Sequence, residues 1–175
     1  MRYKFLYSIV ICLSAAGCGS VATHHVAEPA DEVARSAETP AAPATPQQAE
    51  ALMRAIMALD TDYRYGGQSM ANGFDCSGLV AYVFKSAWGL DLPHSSRAQS
   101  EYGTPVTAGA LRPGDLVFYN TSHRPYSHVG IYLGDGKFIH APRTGERVRI
   151  EDLHKRYWVR RFDGARRITP PTDRL

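Results

Sequence analysis

A chain of 175 residues is long enough for one domain with a proper core and some extra sequence, but not comfortably for two. A net charge of +3 is too mild to argue for nucleic acid, and 10% aromatic residues argue against wholesale disorder. No stretch of about twenty apolar residues follows the N-terminus, which excludes an internal membrane-spanning helix.

The chain opens with the layout of an export signal. Met1 to Lys4 is basic, Phe5 to Ala16 is mostly apolar but short for a span, and small residues follow. Residues 1–17 are therefore set aside from the fold as a signal peptide. Ala15-Ala16-Gly17-Cys18 resembles a bacterial lipobox, with cleavage before Cys18 and lipid on its thiol, although alanine stands where leucine is usual. The alternative is an ordinary signal cleaved after a small residue, leaving Cys18 a spare thiol. Residues 18–46 are rich in Ala, Pro, Glu and Thr and nearly free of large apolar side chains, so they predict a disordered tether. Fully extended, such a tether reaches on the order of 80–90 Å. His24 and His25 lie inside it and read as a solvated pair.

Residues 47–168 are expected to fold, with a tail at 169–175. Leu52, Ile56 and Leu59 recur at helical spacing, with Ala51, Met53 and Ala55 around them, and predict a first helix from Gln47 to about Asp60. Tyr63 to Gly73 reads as loop. Asp75 caps a second helix whose apolar face is Leu79, Val80, Val83, Phe84, Ala87 and Trp88, and which stops by Gly89. Ser95 or Ser96 caps a short helix to about Tyr102. Strands are expected at Asp115–Tyr119, Ser127–Leu133, Lys137–Ala141, Val148–Ile150 and Tyr157–Phe162. Helices first and an antiparallel sheet afterwards imply an α+β domain.

Cysteine arithmetic isolates one thiol. Cys12 leaves with the signal and Cys18 takes the lipid, so Cys76 has no disulfide partner. A lone thiol in an oxidising compartment is a liability unless it has a task, although an inert buried cysteine is the commoner fate. Cys76 sits at the first turn of its helix, where unpaired N–H groups and the macrodipole favour thiolate. A neighbouring imidazolium would lower its pKa further, and the same N–H groups can serve as an oxyanion hole.

His128 and His140 flank a hairpin turned by Gly134-Asp135-Gly136. A two-residue loop pairs His140 with Ile131, on the face opposite His128. A three-residue loop, or an equivalent bulge, sets His140 opposite Gly130, on the same face as His128. A catalytic pairing requires the second geometry, with His128 as base and His140 fixing its tautomer. The other readings are structural histidines, or a Cys-His-His zinc site that no ligand spacing supports. His94, His123 and His154 have no comparable context and read as surface or packing residues.

Six ordered blocks then resemble a known family. They are Tyr63-Arg64-Tyr65-Gly66-Gly67, Gly73-Phe74-Asp75-Cys76-Ser77-Gly78-Leu79-Val80, Leu92-Pro93-His94-Ser95, Arg112-Pro113-Gly114-Asp115-Leu116, Ser127-His128-Val129-Gly130-Ile131-Tyr132 and Phe138-Ile139-His140-Ala141. Together they resemble the NlpC/P60 family of bacterial cell-wall cysteine peptidases, over roughly Ala49 to Arg161. The resemblance implies a papain-like fold with an N-terminal helical part on an antiparallel sheet, and a catalytic triad of Cys76, His128 and His140. It places the family's active-site tyrosine on Tyr63, with Tyr65 as an alternative, and implies that Asp75, Ser77 and Ser95 help hold the stem peptide. The implied substrate is peptidoglycan, cut at D-glutamate–diaminopimelate or D-alanine–diaminopimelate bonds without metal or cofactor. The lipobox, the short tether and Gly19 are most similar to the small Spr-type lipoprotein murein endopeptidases, monomers held at the outer membrane and facing the periplasm (a Gram-positive source would place the anchor in the cell membrane). The rivals are an acyltransferase or amidase on the same triad, or a non-catalytic peptidoglycan-binding lipoprotein. From Arg143 to Arg174 ten Lys/Arg stand against five Asp/Glu, a stretch that suits acidic stem peptides, lipid head groups or plain solvent.

Overall fold

The computed structural model describes residues 45–171. The signal peptide, Cys18, His24, His25, the tether up to residue 44 and tail residues 172–175 lie outside the described residues. Helix α1 (Pro46–Met57) begins one residue earlier than expected. Thr45 Oγ1 accepts from the Gln48 N–H at 3.2 Å and Gln48 Oε1 accepts from the Thr45 N–H at 2.8 Å, a reciprocal cap. Pro46 fits the first helical position, where its missing N–H has no partner to lose. The buried face differs from the expected one. Ala51 and Ala55 are fully buried, while Ile56 and Met53 are exposed. The small alanines let α1 lie close on the next helix, and Trp88 Nε1 of that helix donates to the Gln47 carbonyl at 2.8 Å.

Between the helices, the expected loop contains a short hairpin, β1 (Gln68–Ser69) paired with β2 (Gly73–Phe74). Helix α2 (Cys76–Trp88) follows as expected, and ends in left-handed Gly89. Its first turn packs so tightly that a Cβ on Gly78 would lie 2.0 Å from the Gly67 carbonyl oxygen and 2.9 Å from His94 Nε2. Only glycine allows that approach. Helix α3 (Ser96–Gln99) is capped by Ser95 and is shorter than expected.

Six antiparallel strands form the sheet: β3 (Thr104–Val106), β4 (Leu116–Tyr119), β5 (His128–Gly134), β6 (Lys137–His140), β7 (Arg149–Asp152) and β8 (Phe162–Arg167), in spatial order β3-β8-β4-β5-β6-β7. β3 was not anticipated from the sequence; it is an edge strand with Pro105 at its centre, where a missing N–H is tolerated. The expected strand from Tyr157 is instead a short helix, α4 (Arg156–Val159), and pairing starts only at Phe162.

Side chains alternate between two clusters, as the pleat requires. Leu116, Phe118, Val129, Ile131 and Ile139 join α1 and α2 in the larger core. Val117, Tyr119, Phe138 and Ala165 meet Trp158 of α4 on the other face. Much of the basic C-terminal stretch is ion-paired: Arg143 with Glu146, Arg149 with Glu146 and Glu151, Lys155 with Glu151, Arg147 with Asp62, and Arg167 with Asp115.

Candidate active site

The start of α2 is organised by one carboxylate. Asp75 Oδ1 accepts from the Gly78 N–H at 2.7 Å and from Ser77 Oγ at 3.0 Å, and lies 2.9 Å from His94 Nε2. Asp75 Oδ2 accepts from the Gly66 N–H at 2.9 Å. Asp75 therefore fixes the helix start, the tyrosine-bearing loop and His94 together. Cys76 follows as the first helical residue, partly buried, with its sulfur against the Val129 N–H. Val129 directly follows His128, so the helix start meets the head of β5.

The hairpin reaches the required parity by a bulge rather than a three-residue loop. Asp135 (φ 48°) and Gly136 (φ 67°) make a two-residue turn, and Gly134 pairs with Lys137. An extra residue between Tyr132 and Gly134 then shifts the register, so that Ile131 faces Ile139. His140 accordingly lies opposite Gly130, on the face of His128. Space there is tight: a Cβ on Gly130 would be 2.6 Å from the Phe138 ring. His128 Nε2 and His140 Nδ1 are 2.7 Å apart, with the rings 88° from coplanar. Both rings are buried. Trp158 covers them, stacked on His128 at 5.9 Å and edge-on to His140 at 5.1 Å.

Electrostatics in the resting site run against the expectation of a lowered thiol. Burial pushes Cys76 up to about 11, and the Asp75 carboxylate adds to the rise, while the N–H groups of Val129, Ser77 and Cys76 oppose it. Burial holds His128 down at about 4 against the pull of Asp75. His140 is lowered by burial, by His128 and by Arg149. The positive end of the helix does not offset the rise at Cys76, because the Asp75 carboxylate already occupies the helix N-terminus. Both shifts favour a neutral thiol at Cys76 and a neutral imidazole at His128.

These shifts carry a stability signature. A histidine lowered in the fold is neutral there while the unfolded chain protonates near pH 6.5, so unfolding takes up a proton. Stability should fall as pH drops from about 6.5, the His128 share being complete below about 4 at roughly 3 kcal/mol, with His140 acting in the same direction. Urea denaturation between pH 7 and pH 5 checks this, since carboxylates hardly titrate in that window. A His128→Gln/His140→Gln protein should lose most of the slope; an unchanged slope would sink the assignment.

The remaining expected residues lie around a groove of about 660 Å³ at Cys76. Tyr63 is half-buried against the core, and burial, then Cys76 and Asp75, raise its pKa. Tyr65 is 88% exposed on the groove rim. Asp75, Ser77 and Ser95 also line the groove. Sequence reading passed over His94, which the structure brings to Asp75, and Gln99, whose Nε2 donates to the carbonyls of Ser77 (2.9 Å) and Pro93 (2.8 Å). His94 belonged to one of the ordered blocks, which was the available signal. Arg97, Arg124 and Tyr126 also reach the groove. Among the described residues no group of three or more His, Cys, Asp or Glu side chains is arranged to hold a metal ion.

A cysteine opening a helix that packs on an antiparallel sheet, with a buried histidine pair at the sheet's end, defines a papain-like α+β domain. The NlpC/P60 family description matches residues 60–167, and the chain belongs to that family. It is 40% identical over 124 residues to murein DD-endopeptidase MepH of Escherichia coli K12, covering 69% of this chain and 46% of that protein. It is 42% identical over 106 residues to murein DD-endopeptidase MepS/murein LD-carboxypeptidase of the same organism, covering 61% and 55%. An NlpC/P60 family protein from Bacillus cereus ATCC 10987 superposes with a TM-score of 0.67 at 35% identity, covering 72% of this chain and 41% of that one. The chain spans about half the length of the curated relatives it matches.

Proposed function

We propose that this chain is a lipoprotein cysteine endopeptidase that hydrolyses peptidoglycan peptides through an acyl-enzyme. The observation that carries the reading is the buried 2.7 Å hydrogen bond between His128 and His140, on strands of the sheet against which the helix opened by Cys76 packs. The bond can run in two directions, and only one is productive. When His128 Nε2–H donates to His140 Nδ1, His128 Nδ1 is bare and able to take a proton. His128 then removes the Cys76 proton as Sγ attacks the scissile carbonyl carbon. N–H groups at the start of α2 stabilise the oxyanion. Collapse breaks the C–N bond, and the leaving amine takes the proton from His128. Water, deprotonated by the same imidazole, hydrolyses the thioester and restores Cys76. His140 holds the tautomer, and Tyr63, Asp75, Ser77 and Ser95 frame the substrate. No cofactor enters this scheme.

The names of MepH and MepS favour the D-alanine–diaminopimelate cross-link over the D-glutamate–diaminopimelate bond. Lipid on Cys18 and a tether to residue 46 would hold the enzyme as a monomer at the outer membrane, facing the periplasm. One preparation of full chain from a Gram-negative host tests both parts. The mass of its N-terminal peptide reports whether Cys18 is acylated. Wild type should release muropeptides from purified sacculi, and the fragment masses from one defined cross-linked muropeptide identify the bond. Equal release by Cys76→Ala protein would overturn the catalytic reading, and a trapped adduct carrying a non-peptidoglycan acyl group would favour an acyltransferase.

A further inference from the structure

The groove at Cys76 does not end at its tyrosines. Tyr63, Tyr65 and Gly66 also line a second depression, about 1400 Å³ against about 660 Å³ for the groove itself. Pockets for one small molecule usually measure roughly 300–1,000 Å³, so a connected pair of this size suits an extended polymer. The wall of the depression is held by the backbone. Arg64 N–H donates to the Phe74 carbonyl at 2.9 Å, Phe74 N–H to that of Asp62 at 3.1 Å, and Tyr63 N–H to that of Glu146 at 2.8 Å. A wall fixed in this way needs little ordering on binding.

The two cavities differ in charge. Cys76 shares its groove with Arg124 and with Arg97, whose partner Glu101 at 3.7 Å lies outside the groove, while the Asp75 carboxylate there is already engaged by protein donors. That groove suits the carboxylates of a stem peptide. In the depression, Asp60 and Asp62 are matched by Arg64 and Arg147, and Asp62 is ion-paired to Arg147 at 3.0 Å. Its other polar side chains are neutral hydroxyls and amides, among them Gln68 and Asn72. At the junction stands Tyr65, exposed enough to offer a ring face. Balanced charge, neutral donors and acceptors, and one free aromatic face match a neutral sugar, whose C–H face stacks on a ring while its hydroxyl and acetamide groups hydrogen-bond.

We infer that this depression binds the glycan strand to which the stem peptide is attached. The inference rests on the peptidoglycan reading above and deepens it: the peptide lies across Cys76, and the amino sugars run past Tyr65 along the β1–β2 hairpin. A second stem peptide in the depression is the competing occupant, and its carboxylates would meet no surplus of positive charge.

Two substrates with the same cross-linked peptide, one carrying its disaccharide and one stripped of it, test the inference. Wild type should show a KM about tenfold lower for the glycan-bearing substrate, a difference within reach of one hydrogen-bonded subsite. A Gln68→Ala/Asn72→Ala protein should bring the ratio of the two KM values close to one. Both side chains are exposed, so the fold should survive, and the melting temperature verifies it. Equal KM values in wild type, or an undiminished advantage in the double variant, would overturn the inference. Binding of a peptide-free glycan oligomer to Cys76→Ala protein, followed by chemical-shift changes, tests it without catalysis. Shifts centred on Tyr65 and the β1–β2 hairpin, weakened in a Gln68→Ala/Asn72→Ala/Cys76→Ala protein, support it even if neither peptide is cut; no shifts there overturn it.

Discussion

Replacing His128 with alanine is expected to lower kcat/KM on a cross-linked muropeptide by at least about a thousandfold, near the upper range for removal of a general base. The size of the effect follows from the resting state. With the thiol raised to about 11, almost none of it is ionised at neutral pH, so attack depends on a base that takes the proton during the reaction. In the proposed mechanism, His128 supplies a bare nitrogen only while His140 accepts its other N–H. His140 must then carry its own proton on Nε2, an atom that is buried without a hydrogen-bond partner among the described residues. The arrangement thus tolerates an unsatisfied donor to keep the tautomer. Product formation on a calibrated muropeptide, with circular dichroism to confirm folding, measures the loss. Residual activity above about 1% of wild type would assign the proton to another group.

Arg167→Ala is expected to destabilise the fold by about 2–3 kcal/mol, less than for a fully buried pair because the Arg167 side chain is 22% exposed. Asp115 has only 2% of its side chain exposed. It receives Arg167 Nε at 2.8 Å and Nη2 at 2.7 Å, a two-pronged contact, and the Arg112 N–H at 2.7 Å. Arg167 Nη2 also donates to the Ala110 carbonyl at 3.0 Å. These bonds tie the turn before β4, in the middle of the chain, to the last strand through one carboxylate. Urea titration of the variant should show a lower midpoint with an unchanged slope. An Arg167→Ala/Asp115→Asn protein should recover part of the loss, because the amide is cheaper to bury than an unpaired charge. A loss below about 1 kcal/mol would mean that water reaches Asp115 freely.

What the sequence made legible were features set by neighbours in the chain. Asp75, the apolar face from Leu79 to Trp88 and the stop at Gly89 are local signals, and α2 follows them residue for residue. Strand parity was legible too, because a period of two leaves only two faces for His140. Which device would set that parity was left open between a longer loop and a bulge, since both add one residue. Other features depended on distant partners. The face of α1 is chosen by how closely α2 approaches, which favours Ala51 and Ala55 over the larger Ile56. Tyr157 and Trp158 have strand-forming side chains, yet the chain coils there to bring Trp158 over the histidines. His94 meets Asp75 across nineteen positions of sequence, a separation over which local pattern says nothing. The charge state of Cys76 depends on burial, and burial is a property of the finished fold.

That charge state has a chemical consequence for the lifetime of the protein. Peroxides and stray disulfides are attacked by thiolate, not thiol, so a sulfur held near 11 reacts slowly with either while the groove is empty. In the proposed mechanism, nucleophilicity appears only when a carbonyl is seated and His128 accepts the proton in the same step. On that reading, the carboxylate-capped helix start doubles as a safety catch against oxidation, released by the substrate.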